Sequence, residues 1–207
     1  MSPGLGCDTI EAMATPTSLF LAPADVQAST QRDPVISVLR DLEIIGDEIE
    51  RDTFSAADGF SRHVVYAGCS PHLVMRPPAD GSRQFCHVAV HGPFDEPRLV
   101  TGPNTVKPRC PVCRTRFDNW RSVLQGWQAG HQRAGCPGCA HRWRPYELDW
   151  RGHAIAGRIL IELRNVFPGE ASPSDLLTLA LQQATGTAWR YAWAGYLDRH
   201  DALAESD

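Results

Sequence analysis

Cys110-Pro111-Val112-Cys113 and Cys136-Pro137-Gly138-Cys139 stand 22 residues apart in a chain of 207. Each pair has the spacing that lets two thiolates grip one tetrahedral metal ion, and two pairs complete a four-sulfur shell. Such a turn must aim both side chains the same way while backbone amides face the sulfurs. Pro111 and Pro137 follow the first cysteine of each pair, where a fixed φ preorganises the turn, and Gly138 adds backbone freedom. A thioredoxin-like redox pair needs one such motif at the start of a helix, an iron–sulfur cluster also takes four cysteines, and a disulfide framework belongs to a secreted chain. Duplicated pairs with internal prolines favour a structural Zn2+ over these alternatives. Four thiolates leave no open coordination position for chemistry at the metal.

Residues 107–151, less than a quarter of the chain, resemble the zinc ribbon, in which two Cys-Pro-x-Cys knuckles at the tips of β-hairpins clamp one zinc ion. The resemblance implies Cys110, Cys113, Cys136 and Cys139 as ligands and an architectural role for the metal. Both knuckles depart from the commonest pattern, because Arg114 and Ala140 stand where a glycine usually follows the second cysteine. His131, His141 and His153 lie in or just beyond the segment and are alternative ligands, but two complete cysteine pairs leave them no vacancy.

The segment also differs from its surroundings in charge. It holds nine Lys or Arg against three acids, a balance of +6, whereas the rest of the chain carries −10 and the whole −4. Four of the six tryptophans (Trp120, Trp127, Trp143, Trp150) fall here, with Phe117 and Tyr146. Cations interleaved with flat rings are what a nucleic-acid surface requires, and Arg114, Arg116, Arg121, Arg142 and Arg144 are its candidate residues. The competing reading is packing: Phe117, Trp120, Trp143 and Trp150 fix a small module onto the main body while its arginines pair with the body's acids. A protein or nucleic acid bound through the basic segment is the expected partner.

Outward from the segment, the chain has the same grammar on both sides. Positions 18–22 (Ser-Leu-Phe-Leu-Ala) form a short buried strand; Asp33-Pro34 opens a helix with Val35, Val38, Leu39 and Leu42 on one face, stopped at Gly46. Strands are expected over 62–67, 71–75 and 85–91, with the acidic stretch 41–52 as a solvated helix end and turn. Beyond the segment come a strand over 158–163, a helix capped at Ser172-Pro173 with a stripe of Leu176, Leu179, Ala180 and Leu181 closed at Gly186, and a last strand over 187–196 with alternating Trp189, Tyr191 and Trp193. The expectation is an α+β sandwich: strand-helix-strand units on either side of an inserted zinc ribbon, helices packed on one face of a mixed or antiparallel sheet. Its divisions are a flexible tail over 1–16, with Met13 a second candidate start, a body over 17–106, the ribbon over 107–151, and the second part of the body over 152–207.

No apolar run approaches the roughly 20 residues that span a bilayer, and the N-terminus lacks a secretory pattern, so no membrane role and a cytoplasmic location are expected. The odd remainder of Cys7, Cys69 and Cys86 fits that compartment. A search for catalytic chemistry returns little. His87 and His91 lie on one strand face roughly 13 Å apart, too far to share a metal. Cys69 near Ser70 and His72 has only chain proximity to suggest a nucleophile and base, and phosphate loops, nucleophile elbows and His-Glu-x-x-His are absent. The sequence therefore points to a binding or regulatory protein more than to an enzyme. A nucleic-acid-binding role and an enzyme with a cleft between ribbon and sheet are the alternatives.

Overall fold

Leu19, Phe20, Leu21 and Ala22 are all buried, although alternate residues of a strand face opposite ways. Their strand, β1 (Thr17–Pro23), lies inside a six-stranded sheet covered on both faces. The computed structural model of the chain describes residues 17–66, 73–102, 105–128, 133–167 and 169–195. After β1 come α1 (Arg32–Asp41), the hairpin β2 (Ile45–Glu50) and β3 (Thr53–Ala56), a single turn α2 (Phe60–His63), β4 (Val64–Tyr66), β5 (His87–His91) and β6 (Arg98–Val100). The cysteine segment contributes α3 (Trp120–Gln128), β7 (Ala134–Gly135) and β8 (Arg142–Trp143). The chain closes through β9 (Ile155–Gly157), β10 (Leu160–Arg164), β11 (Ala171–Pro173), α4 (Asp175–Thr185) and β12 (Trp189–Gly195).

The sheet order is β12-β1-β10-β5-β3-β2, with each of these pairings antiparallel. On one face α1 (Val35, Val38, Leu39) and α4 (Leu177, Leu181) close over Leu19, Leu21, Val88, Val90, Ile161 and Leu163. The expected α+β architecture is thus present, with an antiparallel sheet and its two long helices on one side. The order β12-β1-β10-β5, with α1 leaving β1 and α4 leaving β10, is the connectivity of a split β-α-β, ferredoxin-like sandwich. The hairpin β2–β3 extends it at one edge, and the cysteine segment lies in the connection between β5 and β10. On the other face Phe20, Ala22, Leu160, Ala192 and Ala194 pack beneath Val100 and Ile155 of the paired strands β6 and β9, which lead into and out of the cysteine segment.

Several boundaries differ from the sequence reading. Gln31, not Asp33, precedes the first helix, so Asp33 and Pro34 occupy its first turn, where amides have no intrahelical partner and proline is tolerated. That helix ends at Asp41, Glu43 takes a left-handed turn (φ 54°), and Gly46 lies inside β2. The acidic stretch is a helix end and turn only at its two ends, where Asp41 closes α1 and Glu43 and Asp52 lie in turns; its middle is an edge strand, and the exposed Asp47, Glu48 and Glu50 are the charges that discourage edge pairing. Positions 62–63 complete α2 before the strand begins, Leu73, Val74 and Met75 form no strand, and residues 67 and 71–72 fall outside the described ones.

Helix α4 is capped by Ser174, whose Oγ accepts from the Leu177 amide at 3.2 Å, while Ser172 and Pro173, expected to cap it, belong to β11. Its buried stripe is Leu177 and Leu181, an i, i+4 pair, so Leu176 and Leu179 point outward and are 56% and 49% exposed. Gly186 closes it in the left-handed conformation (φ 71°), where glycine carries no Cβ penalty. Among the described residues no helix is long and apolar enough to cross a membrane.

Candidate metal centre

Two knuckles build the centre from short backbone ladders. Arg109 bridges both Arg116 and Asp149, so the first knuckle is held between two extended neighbours. The hairpin of β7 and β8 carries the second. In each knuckle the residue after the second cysteine donates its amide to the carbonyl of the first: Arg114 to Cys110 at 3.0 Å and Ala140 to Cys136 at 2.9 Å. In each the first cysteine's amide is held from beyond the turn, Cys110 by the Thr115 carbonyl (2.9 Å) and Cys136 by the His141 carbonyl (2.8 Å). Arg114 and Ala140 adopt φ of 63° and 58°. The loop shape that glycine usually supplies is therefore kept, at a conformational cost of about 1 kcal/mol or more at each position.

The four Sγ atoms lie within 4.8 Å of one another. Cys110 and Cys139 are 3.8 Å apart and Cys113 and Cys136 3.5 Å. A tetrahedral ion with metal–sulfur bonds near 2.3 Å places its sulfurs about 3.8 Å from each other, so the group fits one ion at its centre. The same distances are far too long for disulfides, which removes the cross-linking alternative. Cys110 and Cys136 are buried and Cys113 and Cys139 exposed. Trp143 Nε1 donates to Cys110 Sγ (3.3 Å), and the Gly138 amide reaches Cys136 Sγ (3.4 Å). Hydrogen bonds from the Thr115 hydroxyl and backbone amide lower the Cys113 thiol, whereas at Cys139 the backbone hydrogen bond of His141 is outweighed by burial and the neighbouring sulfurs, which raise the thiol. His141 and His153 stay outside the group, and His131 lies outside the described residues.

The aromatic residues of the segment mostly pack. Phe117, Trp120, Leu148 and Trp150 make a third core around Cys110 and Cys136, with Trp143 against it and Leu99 of β6 tying it to the body. Trp120 meets Trp150 edge-on at 5.7 Å, and Trp127 meets Tyr146 the same way. Among the described residues the segment's close ion pairs are internal, although Arg144 also lies in the field of Glu96 of the body. Arg114 pairs with Asp149 (2.7 Å) and Lys107 with Asp118 (2.7 Å), both inside the segment. Arg116, Arg121 and Arg142 are exposed; Arg121 lies over the Trp120 ring at 4.4 Å, and Arg142 donates to the Arg133 carbonyl. Arg144 is half-buried on the Tyr146 hydroxyl.

Away from the centre, the structure joins residues that the sequence left apart. His91 Nε2 is 2.7 Å from Oε2 of Glu162, which also accepts from Arg164 at 2.7 Å. Glu162 is completely buried and its Oε1 has no hydrogen-bond partner. Its signal in the sequence is one acid in the strand Leu160-Ile161-Glu162-Leu163-Arg164, on the face opposite Ile161 and Leu163. His87 is buried with Nδ1 on the Phe85 carbonyl (2.7 Å), and among the described residues His87 and His91 join no metal-holding group. Cys86 is buried, its thiol pushed up to about 11 by burial, and Cys69 falls outside the described residues. A cleft does lie between the cysteine segment and the sheet, about 280 Å³, but it contains neither His87 nor His91. No protein-family model, no curated protein and no solved structure matches the chain.

Proposed function

We propose that the four cysteines hold a structural Zn2+ in a zinc ribbon, and that the chain is a non-enzymatic binding protein offering this basic ribbon to nucleic acid. The closed four-sulfur shell supports the first half: it fits a single tetrahedral ion and leaves no position for substrate or water. The observation that carries the second is the direction of the ribbon's arginines. Among the described residues its ion pairs, Arg114 with Asp149 and Lys107 with Asp118, are internal, while Arg116, Arg121 and Arg142 are exposed. With four thiolates around Zn2+ the side-chain charge of the ribbon stays near +4, against an acidic body that would repel a polyanion and so confine contact to the ribbon.

Binding through phosphates is read by salt. Zinc-loaded protein is expected to retain mixed-sequence oligonucleotides at low ionic strength, with affinity falling steeply as salt rises. Replacing Arg116, Arg121 and Arg142 together by Glu is expected to abolish retention with zinc content unchanged. No retention by the wild-type protein at low salt would end this reading, and the metal assignment would be decided separately by elemental analysis.

A further inference from the structure

The cleft between ribbon and sheet is built differently from a second, larger concavity among the described residues. Between α1 and the hairpin β2–β3, a groove of about 470 Å³ sets Arg32 and Arg40 among four acids, Asp33, Asp41, Glu48 and Asp52, and Arg32 pairs with Asp52, so this groove does not favour an anion. The cleft of about 280 Å³ has a floor of Leu148, Ile155, Ala156 and Ala192 and a rim carrying Arg151 and Arg190. The acid beside them, Asp149, is occupied: Oδ2 pairs with Arg114 at 2.7 Å and Oδ1 accepts the Arg151 amide at 3.0 Å. Arg190 is fixed across the cleft by donating to the Ala156 carbonyl at 3.3 Å, which leaves its other donors for a guest. An apolar floor under two guanidinium groups selects an anion that carries a flat or apolar body, and a forked cation grips phosphate or carboxylate oxygens two at a time.

We propose that this cleft binds a small organic anion, a phosphate or carboxylate borne on a planar ring. One wall is the turn over residues 149–152, and Asp149 exchanges both backbone hydrogen bonds with Arg109, the neighbour of the metal ligand Cys110 (2.9 and 3.0 Å). The metal centre therefore positions that wall, and loading it shapes the site. This site is separate from the exposed arginines of the nucleic-acid reading, and neither requires the other.

The test is titration of the zinc-loaded full chain with phenyl phosphate, adenosine monophosphate, benzoate and inorganic phosphate, followed by backbone amide shifts. Saturable binding of at least one ring-bearing anion is expected, about tenfold or more tighter than inorganic phosphate, with shifts gathered at residues 149–152, 156 and 190. The tightest of the three organic anions then identifies the source as a simple aryl phosphate, a nucleotide or a carboxylate. Arg190→Glu and Arg151→Glu, each checked for an unchanged melting temperature, are expected to weaken it about tenfold or more, Arg190→Lys less, and Arg142→Glu not at all. Absence of saturable binding, inorganic phosphate binding as tightly as the ring-bearing anions, shifts elsewhere, or full affinity in the folded Glu variants would overturn the proposal. Oligonucleotide retention, measured in the same variants, reports on the ribbon surface independently.

Discussion

Gly138 of the second knuckle packs directly on Thr115, which follows the first: a Cβ at 138 would stand 3.0 Å from the Thr115 Cβ and closer still to its hydroxyl. The matching position of the first knuckle is Val112, whose side chain is 66% exposed. Two knuckles with nearly the same sequence are thus unequal, because only the second turns its third residue toward its partner. Gly138→Ala is expected to cost about 1–3 kcal/mol by overpacking, and Val112→Ala to change stability by less than about 0.5 kcal/mol. Thr115→Gly in the Gly138→Ala background should recover part of the loss. Equal melting temperatures for the two single alanine variants would contradict the asymmetry.

The left-handed positions after each knuckle make an opposite prediction. Ala140 has a φ of 58°, so Ala140→Gly is expected to stabilise the segment by about 1 kcal/mol. Arg114→Gly relieves the same strain (φ 63°) but removes the partly exposed pair with Asp149, itself worth about 0–1 kcal/mol, and should gain less. Denaturant midpoints at saturating zinc compare the two, and a loss of stability in Ala140→Gly would refute the strain argument.

Removing a ligand should dismantle the segment without unfolding the sheet. Cys110→Ser and Cys139→Ser are expected to lower bound metal well below one ion per chain and to loosen the core of Phe117, Trp120 and Trp150, which is built around Cys110 and Cys136. Elemental analysis and tryptophan near-ultraviolet dichroism measure both effects. Cys86, buried in the helix-side core with its thiol held near 11, should resist alkylation at neutral pH in the same variants while the freed cysteines react. Unchanged metal stoichiometry in both variants would contradict the ligand assignment.

Glu162 gives the protein a predictable acid sensitivity. Loss of hydration alone would raise its carboxyl, but the hydrogen bonds and charges of His91 and Arg164 outweigh that and hold it below the ordinary carboxylate range. A folded-state pKa below the unfolded one contributes stability that is present above the unfolded value and lost as pH falls through the folded value. The stability of Glu162→Gln should therefore fall less steeply than wild type on acidification below the ordinary glutamate pKa. At neutral pH Glu162→Ala should cost about 3 kcal/mol, because His91 and Arg164 lose the carboxylate that compensates them. Parallel acid limbs for wild type and Glu162→Gln, in unfolding followed by dichroism, would rule this out.

What the sequence by itself determined was local. Cysteine spacing located the four clustered thiols, because a two-residue gap with proline inside specifies a turn without help from the rest of the chain. Apolar runs located β1, β5, β10 and both long helices, and Gly186 marked a helix end because a left-handed residue favours glycine wherever it occurs. Tertiary structure decided the rest. The acids of β2 look like a solvated turn until β3 supplies the other half of a hairpin, and Leu177 with Leu181, not Leu176 with Leu179, became the buried stripe because the sheet chose which side of α4 to cover. Strand order placed Glu162 beside His91, which is 71 residues away, and folding back at Asp149 set Arg151 and Arg190 on one cleft. These pairings are long-range, and a chain of alternating apolar and polar residues encodes which face each side chain takes but not which strand will lie next to it.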